Sequence, residues 1–237
     1  MALQQIDSTQ NSAMLQANTT VNLTSSMSAA TIQTYINAQP KNLNGYTLTF
    51  QFADGTYTLS SALLFSNFCA GTLNIQGDTG ESGAGTLHTT QSVILNFASS
   101  NGLYVFNNTQ VTITNLKINF YNTPTYSYAL NLTGNNYTVV YGCYFTGASS
   151  TSGTGASGLN MVSGFAYAYY NYFANYSYAI FASNPCRLSS YDNQTTGSGT
   201  TVYGLYCQSG ASISYNLTQP TGGTAATGTG GASQLNG

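Results

Sequence analysis

The chain has 237 residues, of which 42% are hydrophobic and only 3% are charged, and its net charge is −2. About 25% of the residues of an ordinary soluble domain are charged, so hydroxyl, amide and phenol groups must supply most of the polar surface here. Three cations do not make the basic surface that nucleic acid requires, and no apolar run approaches the ~20 residues of a membrane span. We therefore expect neither a nucleic acid partner nor membrane insertion.

The N-terminal segment, residues 1–27, is rich in Gln, Asn, Ser and Thr and has few apolar positions. This composition predicts an extended arm, an attachment segment or a disordered segment. Its start lacks the basic and apolar stretches of a secretory signal peptide. We therefore expect no signal peptide and a protein that is made in the cytoplasm.

A short helix is predicted over residues 29–37, where Ile32 and Ile36 lie four positions apart and Ser28 is suited to cap the N-terminus. Pro40 ends this helix because a proline cannot continue the backbone hydrogen bonding. A helix at this point is expected to cover the open end of the strands that follow, whose unpaired edge would otherwise invite association.

Strands follow the helix, and their side chains alternate between polar and apolar. A turn at Asp54 and Gly55 separates the first two. The predicted strands are residues 46–52, 56–59, 72–76 and 93–97.

The clearest feature is a short pattern that recurs five times from residue 102 onwards, at intervals of about 27, 29, 21 and 25 residues. In each copy a small residue precedes three residues whose side chains alternate inward, outward and inward. So short a strand cannot close a core alone, so we expect each copy to stack on the next. The predicted interior columns are Leu103, Leu130, Leu159, Ile180 and Leu205, and beside them Val105, Leu132, Met161, Ala182 and Cys207.

A second pattern follows each first strand and begins at residues 115, 142, 170, 190 and 214. Two strands and two or three turns in each repeat of roughly 20 to 30 residues describe one coil of a parallel β-helix. We therefore predict an all-β solenoid over residues 28–220, with the short helix as its cap. Residues 221–237, rich in Gly, Ala and Thr, predict a low-complexity C-terminal tail.

The cysteines also fit this interpretation. Cys143 and Cys207 occupy apolar positions of the repeat, so we expect them to be buried. Four free thiols are favoured over two disulfides, which suits a protein assembled in a reducing compartment.

Several segments of the chain resemble those of a known class of proteins. The run from Thr31 to Gln33, the segment Pro-Lys-Asn-Leu-Asn-Gly-Tyr at residues 40–46, Phe-Ala-Asp-Gly-Thr-Tyr at residues 52–57 and the Gly-Leu-Tyr coils resemble the right-handed parallel β-helix proteins of bacteriophage tail fibres and tailspikes. The resemblance covers about residues 28–220. The same fold also occurs in pectate lyases, glycosidases and adhesins, so it specifies a fold more closely than an activity.

The resemblance implies a right-handed, single-stranded solenoid that forms a homotrimer in the tail of a phage virion. It also implies a receptor-binding protein whose partners are a host cell-surface glycan or protein and other tail proteins. Synthesis in the host cytoplasm would explain the absence of a signal peptide.

Few residues are suited to catalysis. Asp78 and Glu81, with His88 nearby, are the one local cluster of acids, and a glycosidase requires two carboxylates about 5 to 9.5 Å apart. An exposed, solubilising turn is the more common role for such a pair. Asp192 lies near Arg187 in the chain, and the two are suited either to an ordinary salt bridge or to gripping a uronate. Because the five acids are widely spread, we expect no metal and no cofactor.

Tyrosine offers a different kind of site. Aromatic rings crowd one repeat, and they are suited to ladders along the strands and packing between subunits, or to a face that stacks against sugars. Nearby Asn and Ser would supply hydrogen bonds without charge. The candidate ligand-binding residues are Tyr167, Tyr169, Tyr170, Tyr172, Tyr176 and Tyr178. Further tyrosines are expected to extend this set on the coils above and below, namely Tyr104, Tyr121, Tyr126, Tyr128, Tyr141, Tyr144, Tyr203 and Tyr206.

The leading hypothesis is therefore a phage tail fibre or tailspike protein that binds host surface glycan without catalysis. The first alternative is a tailspike glycan depolymerase that uses Asp78, Glu81 or Asp192. The second is a structural fibre segment or a bacterial surface adhesin.

Overall fold

The computed structural model describes residues 14–77, 91–98, 101–120, 127–147, 156–195, 203–216, 218–220, 224–229 and 234–236. These residues form many short strands and one helix. The helix α1 spans Ala29–Asn37, and the strands are β1 (Thr19–Leu23), β2 (Thr47–Phe52), β3 (Gly55–Leu59), β4 (Leu63–Ser66), β5 (Thr72–Gln76), β6 (Val93–Phe97), β7 (Asn101–Phe106), β8 (Gln110–Thr114), β9 (Lys117–Phe120), β10 (Tyr128–Tyr141), β11 (Tyr144–Thr146), β12 (Ser157–Tyr169), β13 (Tyr172–Ala174), β14 (Tyr178–Tyr191), β15 (Gln194–Thr195), β16 (Tyr203–Gln208), β17 (Ser212–Asn216), β18 (Thr224–Thr229) and β19 (Gln234–Asn236).

The strands pair in parallel and belong, within the described residues, to a 13-stranded sheet and a 6-stranded sheet. The smaller sheet has the order β15-β13-β11-β9-β6-β3, so strands one repeat apart in sequence are neighbours in space. Such stacking of parallel strands from successive repeats is the architecture of a parallel β-helix. The predicted all-β solenoid is confirmed.

Each coil in the middle of the chain passes through three strand segments, whereas the sequence pattern predicted two. In one coil these are β7 and β8 in the larger sheet and β9 in the smaller one. In later coils the first two segments join into one long strand, as in β10, which pairs with β7 through its first half and with β8 through its second. We refer to the three as the first, second and third segments.

The predicted interior columns are confirmed. Leu130 is in register with Leu103 below and Leu159 above, and Ile180 and Leu205 continue the same file. The neighbouring column has the same register, and all ten side chains are at most 1% exposed. The core is therefore a set of files along the solenoid axis, in which each side chain is covered by its counterpart in the next coil.

The second pattern is correctly aligned for three of its five copies. Lys117, Tyr144 and Tyr172 are register partners in the third segment, but the next partner is Gln194. The predicted alignment placed residue 192 there, two positions too early. Tyr191 instead belongs to the second segment. There it is the register partner of Tyr169, and the two rings are in contact on the outer face.

The N-terminal helix forms as predicted. The Ser28 hydroxyl oxygen accepts a hydrogen bond from the Thr31 backbone N–H at 3.1 Å, and Ile32 and Ile36 are fully buried. The helix covers the edge strand β4 through Gln33, whose Nε2 donates to the Leu64 carbonyl oxygen at 3.0 Å. The Leu64 N–H in turn donates to Gln33 Oε1 at 2.8 Å. One amide side chain thus occupies the place of a neighbouring strand.

The solenoid extends beyond both predicted boundaries. Within the predicted arm, β1 pairs in parallel with β2 and buries Val21 and Leu23. Within the predicted tail, β18 pairs with β16 and β19 pairs with β17. Backbone pairing to an existing edge holds these strands although their own sequence has little apolar pattern.

Candidate functional site

The outer face of the second segment carries the largest aromatic surface of the described residues. In β12 the rings of Tyr167 and Tyr169 alternate with Ala166 and Ala168, which are fully buried, so the rings lie outside. Seven rings are linked by ring-to-ring contacts, and we name this set the aromatic platform. It consists of Tyr137, Tyr141, Phe165, Tyr167, Tyr169, Tyr170 and Tyr191.

The centre of the platform is one short stretch of β12. The ring of Phe165 meets that of Tyr167 edge-on at 4.8 Å between centroids, and Tyr167 stacks on Tyr169 at 5.4 Å. Tyr137, on the coil below, lies 5.9 Å from Phe165 and 5.8 Å from Tyr167. Tyr137 is 37% exposed, so this part of the platform is open to solvent.

The platform continues around the corner between the second and third segments. Tyr169 lies 6.2 Å from Tyr191, and Tyr170 lies 5.8 Å from both Tyr191 and Tyr141. Tyr170 has a φ of 53°, a left-handed conformation that turns the chain at this corner. The strained turn directs the Tyr170 ring towards its neighbours of the coils above and below.

Two phenols of the platform, those of Tyr169 and Tyr170, have a raised pKa. Burial raises the pKa of Tyr169, and the neighbouring Tyr167 and Tyr137 raise it further. Partial desolvation and the nearby Tyr191 raise the pKa of Tyr170. The phenols of Tyr169 and Tyr170 therefore stay protonated at neutral pH, and each can donate as well as accept a hydrogen bond.

Polar side chains border the rings on the coil above. Ser189 is the register partner of Tyr167, and its hydroxyl lies 3.0 Å from that of Ser214. Arg187 is the register partner of Phe165 and is exposed. Flat rings beside hydroxyls and one guanidinium group form a surface that is suited to binding and holds no nucleophile with a base beside it.

A second aromatic surface lies on the outer face of the first segment. Tyr178 stacks on Tyr203 at 5.3 Å, and Phe181 stacks on Tyr206 at 5.4 Å with 6° between the ring planes. Tyr178 also lies 4.9 Å from Tyr206, which joins the two stacks. We name these four residues the aromatic quartet.

The six predicted ligand-binding tyrosines do not form one site. Three of them belong to the platform, and Tyr178 belongs to the quartet. Tyr172 lies on the smaller sheet, 6.0 Å from Tyr144, and its hydroxyl donates to Gln194 at 3.3 Å. Tyr176 is fully buried, and burial raises its pKa well above the usual value. Tyr176 is therefore a core residue, which removes it from any exterior surface.

Sequence reasoning missed four members of these surfaces, namely Tyr137, Phe165, Tyr191 and Phe181. A signal for Phe165 was present, because it lies two positions before Tyr167 and so on the same face of a strand. The other three required the register between coils.

The predicted acidic cluster of Asp78 and Glu81, with His88, lies outside the described residues. Of the described carboxylates, Asp54 precedes β3 and Asp192 precedes β15, and five strand steps separate these strands. At ~4.8 Å a step the two acids are about 24 Å apart, too far to act on one glycosidic bond. Asp192 instead occupies a left-handed turn with a φ of 47°.

Two further findings concern the described part of the chain as a whole. It contains no group of three or more His, Cys, Asp or Glu side chains placed to hold a metal ion. No helix in it has both the length and the apolar character needed to cross a membrane.

Comparisons of the chain with known protein families, with curated proteins and with solved structures gave no match.

Proposed function

We propose that this chain is a tail fibre or tailspike protein of a phage virion, which binds the surface glycan of its host bacterium without catalysis. The observation that carries this proposal is the aromatic platform. The two faces of a sugar ring present C–H groups, and flat aromatic rings bind such apolar faces through dispersion and the burial of apolar area. The hydroxyls that border the platform are suited to the sugar hydroxyls.

The platform is held on a rigid support. Residues that alternate with its rings are buried in the core, and each strand of the second segment is hydrogen-bonded to the coils on either side. Little conformational entropy is then lost when a ligand orders these side chains. A preorganised surface of aromatic rings and hydroxyls fits a hydroxyl-rich ligand better than it fits a nucleic acid or a strongly charged protein.

The assembly is part of the proposal. The resemblance, which covers about residues 28–220, supports a homotrimer that attaches to other tail proteins. The aromatic quartet lies on the first segment and the platform on the second, so packing between copies and glycan binding are assigned to different surfaces. A host surface protein remains the alternative receptor class.

The test replaces two central rings of the platform and measures binding of the purified full chain to host cells and to their isolated surface polysaccharide. We expect Tyr137→Ala and Tyr167→Ala each to weaken binding by at least about fivefold, as for a central aromatic contact. Tyr46→Ala is the matched control, because Tyr46 is also 37% exposed but precedes β2, several coils away.

Thermal unfolding followed by circular dichroism will show that each variant keeps the fold. Unchanged binding by both platform variants would remove the platform as the receptor site. Release of reducing ends from the polysaccharide by the unaltered chain would contradict the absence of catalysis.

A further inference from the structure

Arg187 occupies an unusual position for a cation in a chain with so few charges. It lies in β14 between Cys186 and Leu188, both of which are buried, so its own side chain is directed to the outside. Its register partner in the coil below is Phe165, at the centre of the aromatic platform. The Arg187 backbone therefore lies one strand spacing, ~4.8 Å, from that of Phe165, and its exposed side chain leaves the strand at the border of the platform.

The structure gives Arg187 no acidic partner among the described residues. The expected salt bridge with Asp192 is not formed, because five residues of extended chain, about 16 Å, separate the two along β14 and the turn after it. Asp54 lies several coils away, before β3. On the same outer face, the side chains near Arg187 are the neutral Phe165, Tyr167 and Ser189, with Ser212 as its partner in the coil above.

The other described cations are placed differently. The Lys117 ammonium lies over the Tyr144 ring, 4.9 Å from its centroid, on the smaller sheet. The Lys41 ammonium lies 3.8 Å from the Phe68 centroid, and burial lowers its pKa. Both are thus associated with a ring of their own, whereas Arg187 is exposed at the border of the platform.

We infer that the platform takes an acidic glycan, whose uronate carboxylate is bound by Arg187 while its sugar rings stack on Phe165 and Tyr167. This inference rests on the proposed function, since it specifies the glycan class for the same surface. A guanidinium group binds a carboxylate through two parallel hydrogen bonds, which gives orientation as well as affinity. The hydroxyls of Tyr167 and Ser189 nearby offer further hydrogen-bond donors to the same carboxylate.

The test uses hexasaccharides of glucuronate, galacturonate and mannuronate, each paired with its carboxyl-reduced counterpart. Titration calorimetry with the full chain is expected to show at least one acidic member that binds about tenfold or more tightly than its reduced form. Arg187→Gln should abolish that preference, and Arg187→Lys should keep part of it. Added salt should weaken the binding of the acidic hexasaccharide and leave the binding of its carboxyl-reduced form unchanged.

Lys117→Gln is the matched control, because it removes one positive charge from a different face. Loss of the preference in Lys117→Gln, or its persistence in Arg187→Gln, would overturn the assignment to Arg187. Equal binding of acidic and reduced forms, both weakened by Tyr167→Ala, would overturn the inference and leave the proposed glycan binding intact. Failure of every hexasaccharide to bind, while host polysaccharide still binds, would also overturn the inference. Failure of host polysaccharide as well would remove both proposals.

Discussion

The side-chain amides of Asn108 and Asn135 stack on one another inside the solenoid, with 2.9 Å between Asn108 Nδ2 and Asn135 Oδ1. The same Asn135 oxygen accepts from the Asn108 backbone N–H at 3.0 Å, and Asn135 Nδ2 donates to the Val105 carbonyl oxygen at 2.8 Å. Both side chains are 2% exposed. Each lies at the bend between a first and a second segment, where the strand ladder leaves backbone groups without a neighbour.

A second pair repeats this arrangement at the next bend. Asn193 Oδ1 accepts from both the backbone N–H and the side chain of Asn171, each at 2.9 Å, and Asn171 Oδ1 accepts from the Cys143 N–H. Buried amides therefore complete the backbone hydrogen bonding at two corners of the coil. Their contribution to stability should be large because their removal leaves buried polar groups without partners.

We expect Asn135→Ala to lower the free energy of unfolding by about 2 to 4 kcal/mol, since it deprives the Asn108 N–H and the Val105 carbonyl of their partners. Urea unfolding followed by circular dichroism measures the change. Asn136→Ala is the control, because Asn136 is adjacent but exposed, and we expect a change of less than about 0.5 kcal/mol. Equal losses in the two variants would contradict the role given to the buried amide.

The contact of Gln33 with Leu64 leads to an expectation about association. Gln33→Ala exposes the N–H and the carbonyl of Leu64 on the edge strand β4, and such an edge is a template for another strand. We expect larger assemblies to form over hours at a concentration at which the unaltered chain keeps its size. Light scattering follows the process.

Gln39→Ala is the matched change just after the C-terminus of the same helix, because the Gln39 amide donates to the Tyr35 carbonyl and not to β4. Its size distribution should match that of the unaltered chain. If Gln33→Ala also stays at the original size, the helix does not protect this edge.

The cysteines should differ sharply in reactivity. Cys69 is exposed, whereas Cys143, Cys186 and Cys207 are buried, and burial raises the pKa of Cys186 to about 11. Because the thiolate is the nucleophile, we expect iodoacetamide to alkylate Cys69 alone in the folded chain and all four thiols in urea. Mass spectrometry counts the additions, and Cys69→Ser should reduce the native count to none.

Stability should decline at alkaline pH. Burial raises the pKa of Cys143 to about 12, from 9.0 in the unfolded chain, so the unfolded state loses its proton first as the pH rises. The stabilising contribution is therefore complete below pH 9 and is lost between pH 9 and about 12. Urea unfolding at a series of pH values measures the slope, and Cys143→Ala should make the decline less steep from its onset, while the buried Cys186 maintains the remainder.

Tyr57 provides an independent comparison. Burial raises its pKa from 10.0 to about 12, and its hydroxyl donates to the Leu23 and Ala53 carbonyl oxygens. Tyr57→Phe should flatten only the part of the decline that begins near pH 10. A decline with the same onset and slope in both variants would show that neither group is responsible.

The chain's local patterns were sufficient for the elements whose burial depends on near neighbours. Ser28, Ile32 and Ile36 predicted the helix because a cap and an apolar face are properties of a few adjacent residues. Alternation within β5 and β6 likewise predicted both strands at their observed bounds. Local pattern was insufficient where a residue's place depends on pairing with a distant strand: β1 and β19 are held in this way, and the repeat that begins at residue 190 was aligned two positions too early.

The sequence by itself determined that coils stack and which side chains fill them, since a strand that buries alternate residues but cannot enclose a core must be covered by the next copy. Tertiary structure alone decided which rings meet. Parallel pairing brings together residues about 20 to 30 positions apart in the chain, and the length of each turn sets that offset. The observed register differs by two residues from the predicted alignment, and this difference places Tyr191 on the platform. The turn after β13 directs Tyr176 into the core. Neither position followed from local pattern, because pairing between strands fixes the register between coils.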